Sequence, residues 1–349
     1  MGTGLPDAMS AMVAAALESV DTATDRRLAR EMLESALGLI GDRPETLDLK
    51  IAAAALAEMR EAFSVFGPYR DVPKVTVFGS ARTATNDPLY SQATDIARLL
   101  AERGWMVVTG AGPGIMQAAM EGAGRERSIG VSIRLPFEQG ANPVIAGDEK
   151  YVSMKYFFTR KLILVKESRA FVCLPGGFGT LDETFELLTL TQTGKGLPVP
   201  IIFLDTEGDS FWGSVDQLIR AELVTRNLVS AADTHLYFVT DSCDEACREI
   251  ERFYANYDSI RYVGNQAVIR LRSTPTDEEL ATLNESFGHL VSSGRIERTE
   301  PLAVEVRHAD RLDMPRIRFQ FAKHKYGDLR AMIDVLNSFA AFPGDADRA

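Results

Sequence analysis

The chain has 349 residues, 46% of them hydrophobic, which suffices for a sizeable core plus accessory parts and predicts two or three structural units. A formal net charge of -11 and a pI near 5.0 exclude a nucleic-acid binder, which needs a basic face to displace counterions. Any anionic ligand must therefore meet a local positive site.

Cys173, Cys243 and Cys247 form a sparse, odd set with no secretory leader ahead of them. That pattern predicts a reducing cytoplasm rather than a disulfide framework. Cys243 and Cys247 are spaced as neighbours on one helix face. His235, His289, His308 and His324 are scattered and no CxxC or HExxH spacing occurs, so no metal site is expected. The apolar runs Ala11–Leu17 and Ile51–Ala57 are too short and too rich in alanine to span a bilayer, which predicts a soluble protein without a membrane partner.

In chain order, apolar residues recur at helical spacing from about Asp21 to Phe66, through Leu28, Met32, Leu33, Leu37 and Ile40 and then Leu47, Ile51, Ala55, Met59 and Phe63. Two helices are predicted. Gly41 ends the first, Pro44 sits at the start of the second, and Gly67-Pro68 stops it. Core packing is the ordinary role for such faces, and a face for subunit assembly is the alternative.

Between Pro73 and about Tyr257, short β-rich runs alternate with helical ones: residues 75–78, 105–109, 128–133, 170–174, 199–204 and 236–239. Apolar strands separated by helices predict a Rossmann-like, doubly wound parallel α/β sheet, with ligands at the strands' carboxyl ends. Three glycine-rich segments fall at such ends: FGSAR (78–82), TGAGPGIM (109–116) and LPGGFGT (174–180). After Tyr257 the expected order is a strand at 267–272, a helix at 276–294, a strand near Ile296, a strand at 315–321 and a helix at 328–339. The reading divides the chain into an N-terminal helical extension (1–71), the nucleotide-binding domain (72–257) and a small C-terminal α+β domain (258–349), with a frayed tail at Asp345–Ala349. Residues 316–327 of that last part offer only a mildly basic strand to an effector.

PGGFGTLDE, Pro175 to Glu183, carries the most chemistry, because it follows the strand Arg169–Leu174 and opens an amphipathic helix. Glycines there let backbone N–H groups close on an anion at the helix's positive end. Thr180 adds a hydroxyl, and Asp182 and Glu183 set two carboxylates within a turn. Thr180-Leu-Asp-Glu183 also fits the capping box, in which Glu183 would only start the helix. Both roles are open at this point.

TGAGPGIM does not satisfy G-x-G-x-x-G, and Arg134 stands where an acidic residue would hold an adenosine ribose, which disfavours a nicotinamide dehydrogenase. Arg160 and Lys161 lie together near a helix start. They follow two aromatics, precede the anion loop by one helix and one strand, and belong to a chain short of positive charge. Solvated charge is the ordinary reading of such a pair; its setting favours a site.

PGGFGTLDE, preceded by M-x5-RK at Met154–Lys161 and by FGSAR and TGAGPGIM, resembles the LONELY GUY (LOG) family of nucleotide 5′-monophosphate phosphoribohydrolases, whose hallmark is PGGxGTxxE. The resemblance covers roughly residues 72–255, and the flanking parts resemble extensions of longer bacterial members. It implies cleavage of the N-glycosidic bond of a nucleoside 5′-monophosphate, AMP-like or a cytokinin riboside 5′-monophosphate, to free base and ribose 5-phosphate, without a cofactor. By position, Gly176, Gly177, Gly179 and Thr180 would hold the 5′-phosphate, with Asp182 beside them. Arg160 and Glu183 would sit about the ribose, Arg160 keeping Glu183 ionised. Gly79, Ser80, Gly110, Gly112, Gly114, Met154, Lys161 and Thr189 would line the nucleotide site. A homodimer or larger assembly, in which a neighbour completes the pocket, is implied too. Two departures bear on base preference: Gly110-Ala111-Gly112 replaces three glycines, and Gln117 stands where many longer members have Glu. Such proteins often carry an old lysine decarboxylase label, which no pyridoxal-binding lysine context in this sequence supports. The competing function is a non-catalytic carrier of nucleotides or of phosphorylated cofactors such as the molybdenum cofactor.

Overall fold

A computed structural model describes residues 13–18, 20, 22–135 and 140–340. The tail at Asp345–Ala349 lies outside the described residues, as do Ala11, Met12 and Asp21 of the amino-terminal runs. The chain divides into two compact units, Met1–Glu61 and Ala62–Ala349.

The first unit contains α1 (Ala23–Gly41) and most of α2 (Thr46–Phe66). Thr22 caps α1 by accepting from the Asp25 backbone N–H at 3.0 Å, which satisfies one of the helix's orphan donors. Leu28, Met32 and Ile40 are exposed, so this face does not pack into a core as the spacing predicted. Phe319 and Phe321 are core residues of the second unit.

The second unit is built on a seven-stranded sheet in the order β4-β3-β2-β1-β5-β6-β7, with every pairing parallel. Its strands are β1 (Lys74–Phe78), β2 (Met106–Thr109), β3 (Ser128–Ile133), β4 (Tyr151–Met154), β5 (Ala170–Cys173), β6 (Ile201–Leu204) and β7 (Phe238–Thr240). Val75 and Val77 of β1 pack with α3 (Pro88–Glu102), α4 (Ile115–Ala123) and α8 (Cys243–Phe253) on one face. Phe78 on the other face packs with α5 (Phe157–Glu167), α6 (Phe178–Gln192) and α7 (Phe211–Leu218). Two covered faces explain the near-continuous apolar runs of these strands. The order reverses beside β1: the chain winds out from β1 to β4 and restarts on the other side at β5. The carboxyl ends of β1 and β5 therefore meet at the topological switch point, where such sheets open a crevice.

Three elements depart from the sequence reading. β4, a four-residue edge strand with alternating burial, gives too short a pattern to separate from a loop. β8 (Tyr257–Val263) was missed because Asp258, Ser259 and Arg261 interrupt its apolar residues, yet it pairs antiparallel with β9 (Gln266–Leu271). The helix expected at 276–294 is α9 (Asp277–Phe287) only: Gly288 ends it, and Val291 opens β10 (Val291–Arg298) by pairing with Phe321 of β11 (Arg316–Phe321). Tertiary pairing there overrides a helical pattern. The four antiparallel strands, in the order β10-β11-β9-β8, share a core with α9 and α10 (Tyr326–Ser338). Among the described residues no helix is long and apolar enough to cross a membrane.

Candidate active site

Glycine-containing loops follow both strands at the switch point, and the loops are tied together. The Ser80 backbone N–H donates to the Pro175 carbonyl at 3.3 Å, joining the loop after β1 to the loop after β5. The Ile115 N–H donates to the Ser80 carbonyl at 3.0 Å, which anchors α4 to the same point. These loops and the ends of β3 and β4 enclose a cavity of about 880 Å³.

PGGFGTLDE starts α6 at Phe178, with Gly177 as the N-cap and no side-chain cap. Thr180 is thus the third residue inside the helix, and the capping-box role of Glu183 is excluded. The first N–H groups of α6 have no acceptor within the helix and carry the positive end of its dipole, which makes the Gly177–Thr180 turn an anion cradle. Gly176, Gly177, Gly179 and Thr180 all line the cavity.

Glu183 points to another helix. Its Oε1 accepts from Arg160 Nη1 at 3.0 Å, and both side chains are nearly buried, 12% and 9% exposed. Arg160 is fixed from behind, since its Nε donates to the Val131 carbonyl of β3 at 3.0 Å. Three elements, α5, α6 and β3, therefore set the pair. Gly110 makes room for it, because a Cβ there would overlap Arg160 Nη2. We expect Gly110→Ala to displace the guanidinium and lower kcat/KM on AMP by about tenfold or more while the fold survives, as read by steady-state rates and thermal melting.

Burial pushes the Glu183 carboxyl above the ordinary glutamate range, and the Arg160 and Lys161 charges oppose that shift without cancelling it. The Arg160 charge thus favours the ionised carboxyl, and desolvation works against it. Lys161 is held by Asp182 Oδ2 at 2.6 Å and Glu186 Oε2 at 2.7 Å. Burial works against its charge, but these two carboxylates prevail and raise its pKa above the ordinary lysine value. A Schiff-base lysine needs a neutral amine, so Lys161 is set against decarboxylase chemistry of that kind.

Of the residues singled out in the sequence, Gly79, Ser80, Gly110, Gly112, Arg160, Gly176, Gly177, Gly179, Thr180, Asp182 and Glu183 come together on the cavity wall. Four do not. Met154 is fully buried in the sheet core. Lys161 faces its two carboxylates, and Thr189 is exposed on α6 with its hydroxyl donating to the Phe185 carbonyl. Gly114, at φ 65°, lies against the Ser80 and Ala81 backbone, where no side chain fits. The sequence reading missed the far wall: Ser132 and Arg134 of the β3 end, and Tyr151 and Ser153 of β4, with the Ser132 and Tyr151 hydroxyls 2.8 Å apart. Recognising β4 as a strand parallel to β3 would have found them.

The family model described as "Possible lysine decarboxylase" matches residues 114–250. A probable cytokinin riboside 5′-monophosphate phosphoribohydrolase, LOG6 of Arabidopsis thaliana, is 29% identical over 168 residues, 46% of this chain and 82% of the relative. The cytokinin riboside 5′-monophosphate phosphoribohydrolase LOG of Oryza sativa subsp. japonica is 33% identical over 169 residues, 45% of this chain and 68% of the relative. This chain belongs to the LOG family. Among solved structures, the molybdenum cofactor carrier protein of Chlamydomonas reinhardtii aligns with 19% identity and a TM-score of 0.36, over 52% of this chain and 97% of that one. The family-model match includes the Gly176–Thr180 loop and the Arg160–Glu183 pair.

Proposed function

We propose that this protein hydrolyses the N-glycosidic bond of nucleoside 5′-monophosphates, releasing the free base and ribose 5-phosphate. One observation carries the reading: a buried carboxylate, paired with a fixed guanidinium, lies one helical turn from an anion cradle in the same cavity. The phosphate binds the amides of the Gly177–Thr180 turn with help from Ser80, and the sugar then lies toward Glu183. As the C1′–N bond breaks, the base leaves with the electron pair and takes up a proton, and positive charge builds on the ribose. The Glu183 carboxylate stabilises that charge, and its raised pKa suits it to take the proton of the attacking water. Arg160 orients the carboxylate and binds sugar or phosphate oxygens. Lys161 acts on Glu183 through its charge and through Asp182, not by touching substrate.

Incubation with AMP, read by chromatography for adenine and for ribose 5-phosphate, tests the reaction. Binding without products would return the protein to the carrier reading. Because phosphate contacts far from the reacting bond orient the sugar, adenosine should be turned over with kcat/KM lower by about a hundredfold or more. Phe178, 93% exposed, and Phe157, 52% exposed, form an apolar rim of the cavity that supports a homodimer or larger assembly; light scattering after gel filtration measures it.

A further inference from the structure

At the opposite end of β1 and β5 from the catalytic cavity lies a second concavity of about 510 Å³. Four cationic side chains line it, Arg70, Lys74, Lys166 and Arg169, against one carboxylate, Glu167. In a chain of net charge -11 that local surplus runs against the whole.

Ordinary roles account for part of it. Lys166 lies in the last turn of α5, where a cation complements the helix dipole, pairs with Glu167 and stacks on Phe63. Arg169 donates to the Asp258 carbonyl at 3.1 Å and covers the Tyr254 ring. They do not account for Arg70, an exposed side chain without an ion pair among the described residues. Nor do they account for Lys74. Its residue is only 2% exposed, and its Nζ donates to the Tyr69 carbonyl at 2.6 Å and the Val72 carbonyl at 3.0 Å, which leaves a third N–H and, among the described residues, no carboxylate at ion-pair distance. A buried, unpaired ammonium is costly, and burial lowers the Lys74 pKa despite the pull of Glu167. An anion seated against Lys74, Arg70 and Lys166 would remove that cost.

We propose that this concavity is a second anion site, distinct from the catalytic cradle, which takes the phosphate groups of a small phosphorylated metabolite. A single phosphate engages Lys74 and Arg70, and a diphosphate extends to Lys166 and Arg169. The aromatic edge of Phe63, 46% exposed, lies beside it for a base or other flat group.

The test uses the full chain titrated calorimetrically with pyrophosphate at low ionic strength, where charge contacts are least screened. Two binding events are expected. The double variant Arg70→Glu/Lys166→Glu, both surface positions, loses one event or weakens it by about tenfold or more, and leaves AMP turnover within about twofold. Thr180→Val weakens the other event instead, which separates this site from the catalytic cradle. Comparing pyrophosphate with ADP tells whether the site reads phosphate alone or the base as well. Unchanged titrations in the double variant, or a single event abolished by Thr180→Val, overturn the proposal whether or not AMP is hydrolysed. Tungstate soaked into crystals gives a second readout, with an anomalous peak expected within hydrogen-bond reach of Lys74 Nζ.

Discussion

If the proposed reaction holds, Glu183→Gln is expected to abolish AMP hydrolysis while AMP still binds: kcat should fall by about three orders of magnitude and the dissociation constant should move by less than about fivefold. The substitution keeps the side chain's size and an oxygen that can accept from Arg160 Nη1, so the geometry at 3.0 Å has a replacement. What disappears is the negative charge that faces the developing cation, together with the only proton acceptor of the pair. The proposed phosphate cradle at Gly177–Thr180 keeps its geometry in this variant. Circular dichroism and thermal melting check that the fold persists. A variant with kcat within about fivefold of the parent would make Glu183 merely the buried counter-ion of Arg160, and the proposed reaction would need another group.

Arg160→Met acts on rate and on pH dependence together. Methionine fills the space behind Gly110 but carries neither the fork nor the charge, so kcat/KM on AMP should fall by about a hundredfold or more. The pH profile is the sharper readout. Catalysis requires the ionised carboxylate, so activity is lost as pH falls through the pKa of Glu183. Burial already raises that pKa above the ordinary glutamate value of about 4.3, and the Arg160 charge works in the opposite direction. Removing the charge removes a lowering contribution, so the acid limb moves to higher pH in Arg160→Met. A limb that stays in place, with the rate reduced, would mean that Arg160 binds substrate without setting the state of Glu183.

The parts of the site were legible one by one. Glycine after a strand and before a helix marks an anion cradle because only backbone conformation and helix polarity are involved, and both are local. PGGFGTLDE, the Arg160-Lys161 pair and the two earlier glycine loops therefore stood out. What could not be read was which side chains reach the cavity. Arg160 and Lys161 are adjacent in sequence, yet the turn of α5 sends one into the cavity and the other to Asp182 and Glu186. Met154, one strand away, turns into the core instead. The far wall at Ser132, Arg134, Tyr151 and Ser153 depends on β4 joining the sheet edge, a pairing that four residues of alternating burial do not announce.

The alternation of helices and strands through the parallel sheet, except its edge strand β4, and the glycine loop at Gly176–Thr180 were legible in the sequence itself, because periodicity and turn chemistry act over a few residues. Only the tertiary structure showed that Glu183 pairs with Arg160 instead of capping its helix. Two readings fitted the local pattern, a helix cap and a site carboxylate, and the contact that separates them spans 23 positions in the chain. The same packing that brings Arg160 to Glu183 also buries most of the carboxyl, and this desolvation, a property of the assembled fold and of no segment alone, raises its pKa.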